Sequence, residues 1–337
     1  MKDSKKIVVI GGGTGTYTVL SGLKKYPPDF FDLTAIVTVA DSGGSTGRLR
    51  DEFGYLPVGD FRMALVALAD DNETSAVLRN LFLYRFNKGA GLNGHNFGNL
   101  FLVAMTDIAG SEEGAIALAS RVLRIRGKVL PVSREKLTLV AAYENGAITR
   151  GEARIDEPDE AHDGALRIKN LSVEPAVGAT DEARSAIIDA DCIIVGPGDL
   201  YTSTLAALVV PGVKDAIRES RAHIIQVMNL MTKYGQTHGF TAREHVQEIA
   251  RYIGRFPDTV LVNKRELPEE TLARYRAQRE FPVKDDLDSR DMYQIVRDDF
   301  LAQEEVKKSS GDLLKRSLIR HDSAKLAHAI TGLLRIF

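Results

Sequence analysis

A single cysteine, Cys192, stands in a chain of 337 residues, so no disulfide can form within it. Its setting, Asp191-Cys192-Ile193-Ile194-Val195, reads as a buried strand. The thiol there is a small core hydrophobe rather than a nucleophile. Low cysteine use fits a reducing compartment. Positive charge is not in excess either. Forty-four Lys and Arg face 46 Asp and Glu, a formal net charge of −2. That excludes the broad basic footprint of a nucleic-acid binder, although Arg121, Arg124, Arg126 and Lys128 cluster locally. No apolar run is long enough to span a bilayer, so no membrane insertion is expected. The polar start, Met1 to Lys6, lacks the apolar region and cleavage site of a secretion signal. A cytoplasmic location is expected. His-Glu-x-x-His and Gly-x-Ser-x-Gly segments are missing, and His238 and His245 are poorly spaced for a metal pair.

What the chain does contain is an ordinary globular composition, 44% hydrophobic and 27% charged. Lys6–Ile10 is a β-branched run ending in Gly11-Gly12-Gly13. Thr16–Lys25 follows with helical composition, then Leu33–Ala40 as a second buried-type strand. Strand, Gly turn, helix, strand is a βαβ unit, which favours a parallel sheet. From about 59 to 126, apolar residues recur at helical spacing, which predicts a helical segment over the sheet. From about 129 to 173 the pattern predicts a small antiparallel insertion. Its hairpin is centred on Glu144-Asn145-Gly146, and a further strand is expected over Thr149–Ile155.

Strands and helices then alternate again. Cys192–Val195, His223–Val227 and Thr259–Val262 read as strands. Asp181–Asp189, Val213–Ser220 and Thr241–Tyr252 read as helices, and Asp322–Ile336 as a closing helix with Asp322 as N-cap. Lys264–Asp291 matches no single pattern. The fold class is therefore α/β: one Rossmann-like domain with a mostly parallel sheet and flanking helices.

Five polar loops follow strands or open helices. Gly11-Gly12-Gly13-Thr14-Gly15-Thr16 comes first. Glycines let backbone approach a ligand, and the unpaired amides and dipole of the next helix favour an anion. The bland alternative is a strand-to-helix turn, for which four glycines are more than enough. The third position of the dinucleotide fingerprint is Thr16 or Thr18, which speaks against a nicotinamide cofactor; no Gly-Lys-Ser/Thr follows, which excludes a P-loop.

Asp41-Ser42-Gly43-Gly44-Ser45-Thr46-Gly47-Arg48 ends the second strand. Asp41 there suits a ribose hydroxyl or a divalent cation, and Arg48 a phosphate. Asp60 reads first as a helix N-cap. Gly94-His95-Asn96-Phe97-Gly98-Asn99 offers polar recognition or simple capping. Gly196-Pro197-Gly198-Asp199 and Asn229-Leu230-Met231-Thr232 follow later strands. Loops at the carboxyl ends of parallel strands share one crevice.

In this order, GGGTGT, DSGGSTGRLR, GHNFGNL, GPGDLYTS and NLMTKYGQTHGFT resemble the YvcK-like gluconeogenesis factor family, as does Arg320-His321-Asp322 with Lys325-Leu326-Ala327. That superfamily includes CofD, the 2-phospho-L-lactate transferase of deazaflavin coenzyme biosynthesis. The resemblance covers essentially the whole chain. It implies binding of a nucleotide-sugar of the UDP-N-acetylglucosamine type, without demonstrated turnover, in support of cell-wall synthesis, cell shape and gluconeogenic growth. The alternative it implies is a Mg²⁺-dependent phospho-lactyl transfer from a nucleotide diphosphate donor. It places nucleotide or phosphate contacts on Gly12, Gly13, Thr14 and Gly15, and on Asp41, Ser42, Gly43 and Ser45. Asn96, Gly98, Asn99, Gly198, Leu200, Tyr201, Ser203, Asn229 and Thr232 complete the set, with Asp41 and Asp60 for the metal. It also allows a homo-oligomer. Tyr17 follows the Gly loop. Asp199 stands where a smaller Ser is expected, and Lys233-Tyr234 replaces a Gln-Pro pair.

Overall fold

Seven parallel strands, in the spatial order β10-β9-β8-β7-β1-β2-β3, form the centre of the computed structural model, which describes residues 4–303 and 318–334. The strands are β1 (Lys5–Gly11), β2 (Phe31–Val37), β3 (Lys128–Pro131), β7 (Cys192–Val195), β8 (His223–Val227), β9 (Thr259–Asn263) and β10 (Gln294–Asp298). A separate antiparallel sheet, ordered β5-β4-β6, holds β4 (Thr138–Tyr143), β5 (Ile148–Arg150) and β6 (Ile168–Glu174). In β1, Ile7, Val8, Val9 and Ile10 are all buried, because helices cover both faces. Ile7 lies between Leu33 of β2 and Cys192 of β7, so the sheet changes winding direction beside β1.

The helices are α1 (Gly13–Leu23), α2 (Gly44–Phe53), α3 (Gly59–Leu68), α4 (Glu73–Leu83), α5 (Phe97–Ala109), α6 (Glu112–Leu123) and α7 (Glu152–Asp156). α8 (Asp181–Ile188), α9 (Leu205–Leu208), α10 (Val213–Glu219), α11 (Ala242–Ile253), α12 (Glu269–Arg276) and α13 (Ser323–Leu334) follow. Thr241 and Glu244 close a capping box on α11, and the Asp322 carboxylate accepts from Ala324 N and Lys325 N to start α13. The end of the helix expected to Ile336 lies outside the described residues. α13 packs on α1 at Gly22, where a β-carbon would sit 2.0 Å from the Ser323 carbonyl. Among the described residues no helix is long and apolar enough to cross a membrane.

Helices α3 to α6 occupy the segment expected to be helical. The antiparallel insertion starts later than expected. Residues 128–131 join the main sheet, Val129 pairing with Ala35, so the second sheet begins at Thr138. The extra strand expected over Thr149–Ile155 ends at Arg150. Gly151 turns at φ +99 and α7 begins. α12 lies within 264–291, and β10, which no periodicity announced, adds an edge strand. Cys192 is fully buried in β7, and burial pushes its thiol well up.

Candidate functional site

Two Gly-rich turns leave adjacent strands at the point where the sheet changes direction. β1 runs into Gly12 and α1; β7 runs into Gly196-Pro197-Gly198. Gly12 is the N-cap of α1, in extended conformation and without a side-chain cap. The next amide, Gly13 N, donates to Asp60 Oδ1 at 2.7 Å. The sequence places Asp60 as the N-cap of its own helix. Instead it sits in the first turn of α3, whose N-cap is Val58, two residues earlier, and its carboxylate caps α1 because Gly12 lets it in. A β-carbon on Gly12 would lie 2.4 Å from Asp60 Oδ2. At Gly15 the two turns touch: a β-carbon would lie 1.6 Å from the Pro197 carbonyl. Asn229, after β8, donates from Nδ2 to Gly198 O at 2.6 Å.

Between these turns and α12 lies a cleft of about 340 Å³. Gly12, Thr14, Gly15, Gly198, Ser203, Asn229 and Thr232, all named from the sequence, line it. Lys233, Asp199, Arg274, Tyr275, Arg320 and His321 supply much of the rest. Burial pushes the His321 imidazole down to about 4, against a hydrogen bond with the Met228 backbone, so it is neutral at pH 7. Among the described residues its Nε2 has no hydrogen-bond partner.

The second loop lies beside the first rather than in the cleft. Asp41 Oδ1 accepts from Gly43 N at 2.9 Å. A β-carbon on Gly59 would lie 2.6 Å from Asp41 Oδ2, so Asp41 and Asp60 stand on either side of the α3 start. Ser42 docks α7: its amide donates to Glu152 Oε2 at 3.2 Å, and its Oγ accepts from Ala153 N at 3.0 Å. Ser45, Asn96 and Asn99 are buried and engaged with one another. Asn96 N and Asn99 Nδ2 both donate to Ser45 Oγ at 3.3 Å, and Arg62 Nε donates to Asn99 Oδ1 at 2.8 Å. Gly98 lets α5 approach the Phe82 carbonyl and Arg62. Leu200 and Tyr201 are buried, with Tyr201 OH donating to Glu248 Oε1 at 2.8 Å.

Carboxylates crowd behind the Gly loop. Burial raises the Glu152 carboxyl well above its usual range, and the negative charges of Asp41, Asp156 and Asp60 raise it further. Burial also raises Asp41, against the Gly43 amide and Thr46. A carboxyl raised on folding stabilises the fold below its unfolded value and stops doing so as pH rises through the folded value. Glu152→Gln keeps an acceptor for the Ser42 amide and removes this titration. The variant should melt above the wild type at about pH 8, with the gap closing towards acid. A wild-type advantage at alkaline pH would contradict it.

α7 and α12 are the parts of this region that sequence patterns missed. The strand expected over Thr149–Ile155 stops one residue short of Asp156, and α12 lies in a charged stretch without clear periodicity. The one available signal was the pair of departures Asp199 and Lys233, which turn out to be neighbours at 2.8 Å.

The strand order and the paired turns at its switch point define a doubly wound Rossmann-type α/β protein. The family described as 2-phospho-L-lactate transferase CofD matches residues 7–301. A "Putative gluconeogenesis factor" of Thermotoga maritima is 42% identical over 98% of this chain and 99% of its own. The "Gluconeogenesis factor" of Bacillus subtilis is 38% identical over 99% of this chain and all of its own. A crystal structure of a UPF0052 family member from Bacillus halodurans superposes with a TM-score of 0.85 at 37% identity, over 98% of this chain and 100% of that one. The chain thus belongs to the CofD family, and its full-length relatives there carry the name gluconeogenesis factor.

Proposed function

We propose that the cleft binds a nucleoside-diphosphate sugar of the UDP-N-acetylglucosamine type. The protein then acts in the cytoplasm as a ligand-responsive regulator of cell-wall synthesis and cell shape during gluconeogenic growth. The observation that carries this reading is the contact of two Gly turns at Gly15 and Pro197, at the sheet's switch point, beside one polar cleft. Beyond the Gly13 amide, which Asp60 takes, Thr14 and Gly15 of the first turn of α1 line the cleft, and a helix start suits a diphosphate. Thr14, Ser203 and Asn229 supply neutral hydrogen-bonding groups for a sugar or ribose. Calorimetric titration with UDP-N-acetylglucosamine tests it. Binding should stabilise the fold by about 2.7 kcal/mol at a hundredfold excess over Kd. No heat and no thermal shift at millimolar ligand would reject it.

One observation favours a second reading, transfer of a phospho-lactyl group. Asp41 and Asp60 flank the same turn of α3 next to the Gly loop. Among the described residues no three His, Cys, Asp or Glu are grouped to hold a metal alone. Two carboxylates plus phosphate oxygens are, however, the donor set that Mg²⁺ accepts. Asp41 and Asp60 would hold it, and it would neutralise diphosphate charge. Release of GMP from a nucleotide diphosphate donor, with deazaflavin acceptor and Mg²⁺, distinguishes this reading; an unchanged donor rejects it.

A further inference from the structure

The cleft has a charged wall that the nucleotide-binding reading leaves unused. Lys233 Nζ lies 2.5 Å from Asp156 Oδ1 and 2.8 Å from Asp199 Oδ2. The Lys233 side chain is 19% exposed and that of Asp199 38%, and both line the cleft. Three separate elements supply the group: α7, the turn after β7 and the turn after β8. Fully ionised, it carries one negative charge in excess. A ligand diphosphate would meet that local excess as repulsion, while Arg274 and Arg320 of the same cleft attract it.

The two carboxylates are not equivalent. Asp156 is tied from behind, accepting from Thr202 Oγ1 at 2.8 Å and Gln236 Nε2 at 3.0 Å. Those donors favour its ionised form whatever Lys233 does. Asp199 opens to the cleft and depends on Lys233 for its charge. The charged and titratable groups facing it are Lys233, Asp156 from α7 and Tyr275 from α12; Glu152 faces Asp156 in turn.

We infer that Lys233 is a ligand-binding residue: its ammonium turns from Asp199 to the anionic diphosphate, and the Asp199 carboxylate takes up one proton from solvent. The inference rests on the nucleotide-diphosphate reading of the cleft. A lysine is suited to the exchange, since its ammonium is a compact charge on a flexible stem. Uptake of the proton removes the excess negative charge that would oppose the ligand. Burial and the Asp156 charge both push the Asp199 carboxyl up, and Lys233 opposes them while it stays paired. Turning Lys233 away therefore favours protonation at that carboxylate and leaves Asp156 ionised.

Calorimetric titration of the full chain with UDP-N-acetylglucosamine, whose diphosphate has no terminal phosphate to titrate near pH 7, reads the proton taken up by the protein when run in buffers of low and high ionisation enthalpy. The wild type should show buffer-dependent heat equivalent to uptake of up to one proton. Its affinity should rise as pH falls, by at most tenfold per pH unit. Asp199→Asn should abolish the uptake and flatten the pH profile. Lys233→Gln should lose tenfold or more in UDP-N-acetylglucosamine affinity while binding uridine, which has no phosphate, as the wild type does. Buffer-independent heat in the wild type overturns the inference, and so does Lys233→Gln binding UDP-N-acetylglucosamine at wild-type strength in a folded protein. A folded wild type that gives no heat with UDP-N-acetylglucosamine at all rejects the nucleotide reading itself, which is a different result.

Discussion

Gly15→Ala is expected to cost about 3 kcal/mol of stability and to abolish nucleotide binding. The added β-carbon would stand 1.6 Å from the Pro197 carbonyl oxygen and 2.5 Å from its carbon. Both obstacles are backbone atoms, so no rotamer change relieves the clash. Overpacking in a core usually costs roughly 1–3 kcal/mol, because some neighbour can move. Here the neighbour is the turn after β7, held by Asn229 from one side and by its own Ser203 N and Thr204 N bonds to Asp199 O from the other. Either α1 or that turn must shift, and with it one wall of the cleft. Urea denaturation measures the stability loss, and titration with UDP-N-acetylglucosamine measures the site. A variant within about 0.5 kcal/mol of the wild type would show that the two turns are not in the contact described.

Gly13→Leu tests the same loop with the opposite balance. A β-carbon there meets only Asp60 Oδ1, at 4.0 Å, so the leucine has room. Its backbone, at φ +61, is the left-handed region, which costs a non-glycine residue about 1–2 kcal/mol. The fold should survive that. Ligand binding should not, because the side chain stands beside Asp60 at the start of α1, between Gly12 and Thr14 of the cleft wall, where the diphosphate is proposed to lie. Affinity should fall at least a hundredfold, about 2.7 kcal/mol. Circular dichroism checks the fold and titration the binding. A folded variant with wild-type affinity would move the anion site away from the Gly loop. Comparing the two glycines separates a residue needed for close packing from one needed for ligand access.

The parts of this fold that were legible beforehand are those with a local cause. Ile7–Ile10 is strand because a β-branched run buried on two faces suits nothing else. The hairpin at Asn145-Gly146 forms because that pair accepts the turn, with Gly146 at φ +85 and Asn145 Oδ1 taking the Ala147 amide at 2.9 Å. Thr241 and Glu244 announce α11 by their spacing. Ser45, Asn96 and Asn99 were legible as polar residues at helix starts. That their groups face one another and Arg62 was not, since polar recognition and internal capping use the same residue types.

From the chain alone, then, came the α/β class, the parallel sheet and the glycine turns, because each depends on a few consecutive residues and their backbone angles. Only tertiary structure placed Asp60 on the Gly13 amide, 47 positions away, and Asp156 on Lys233, 77 positions away. Charges brought together by separate loops leave no period and no spacing to read. Their pairing is set by where the strands end, and that is decided when the sheet assembles.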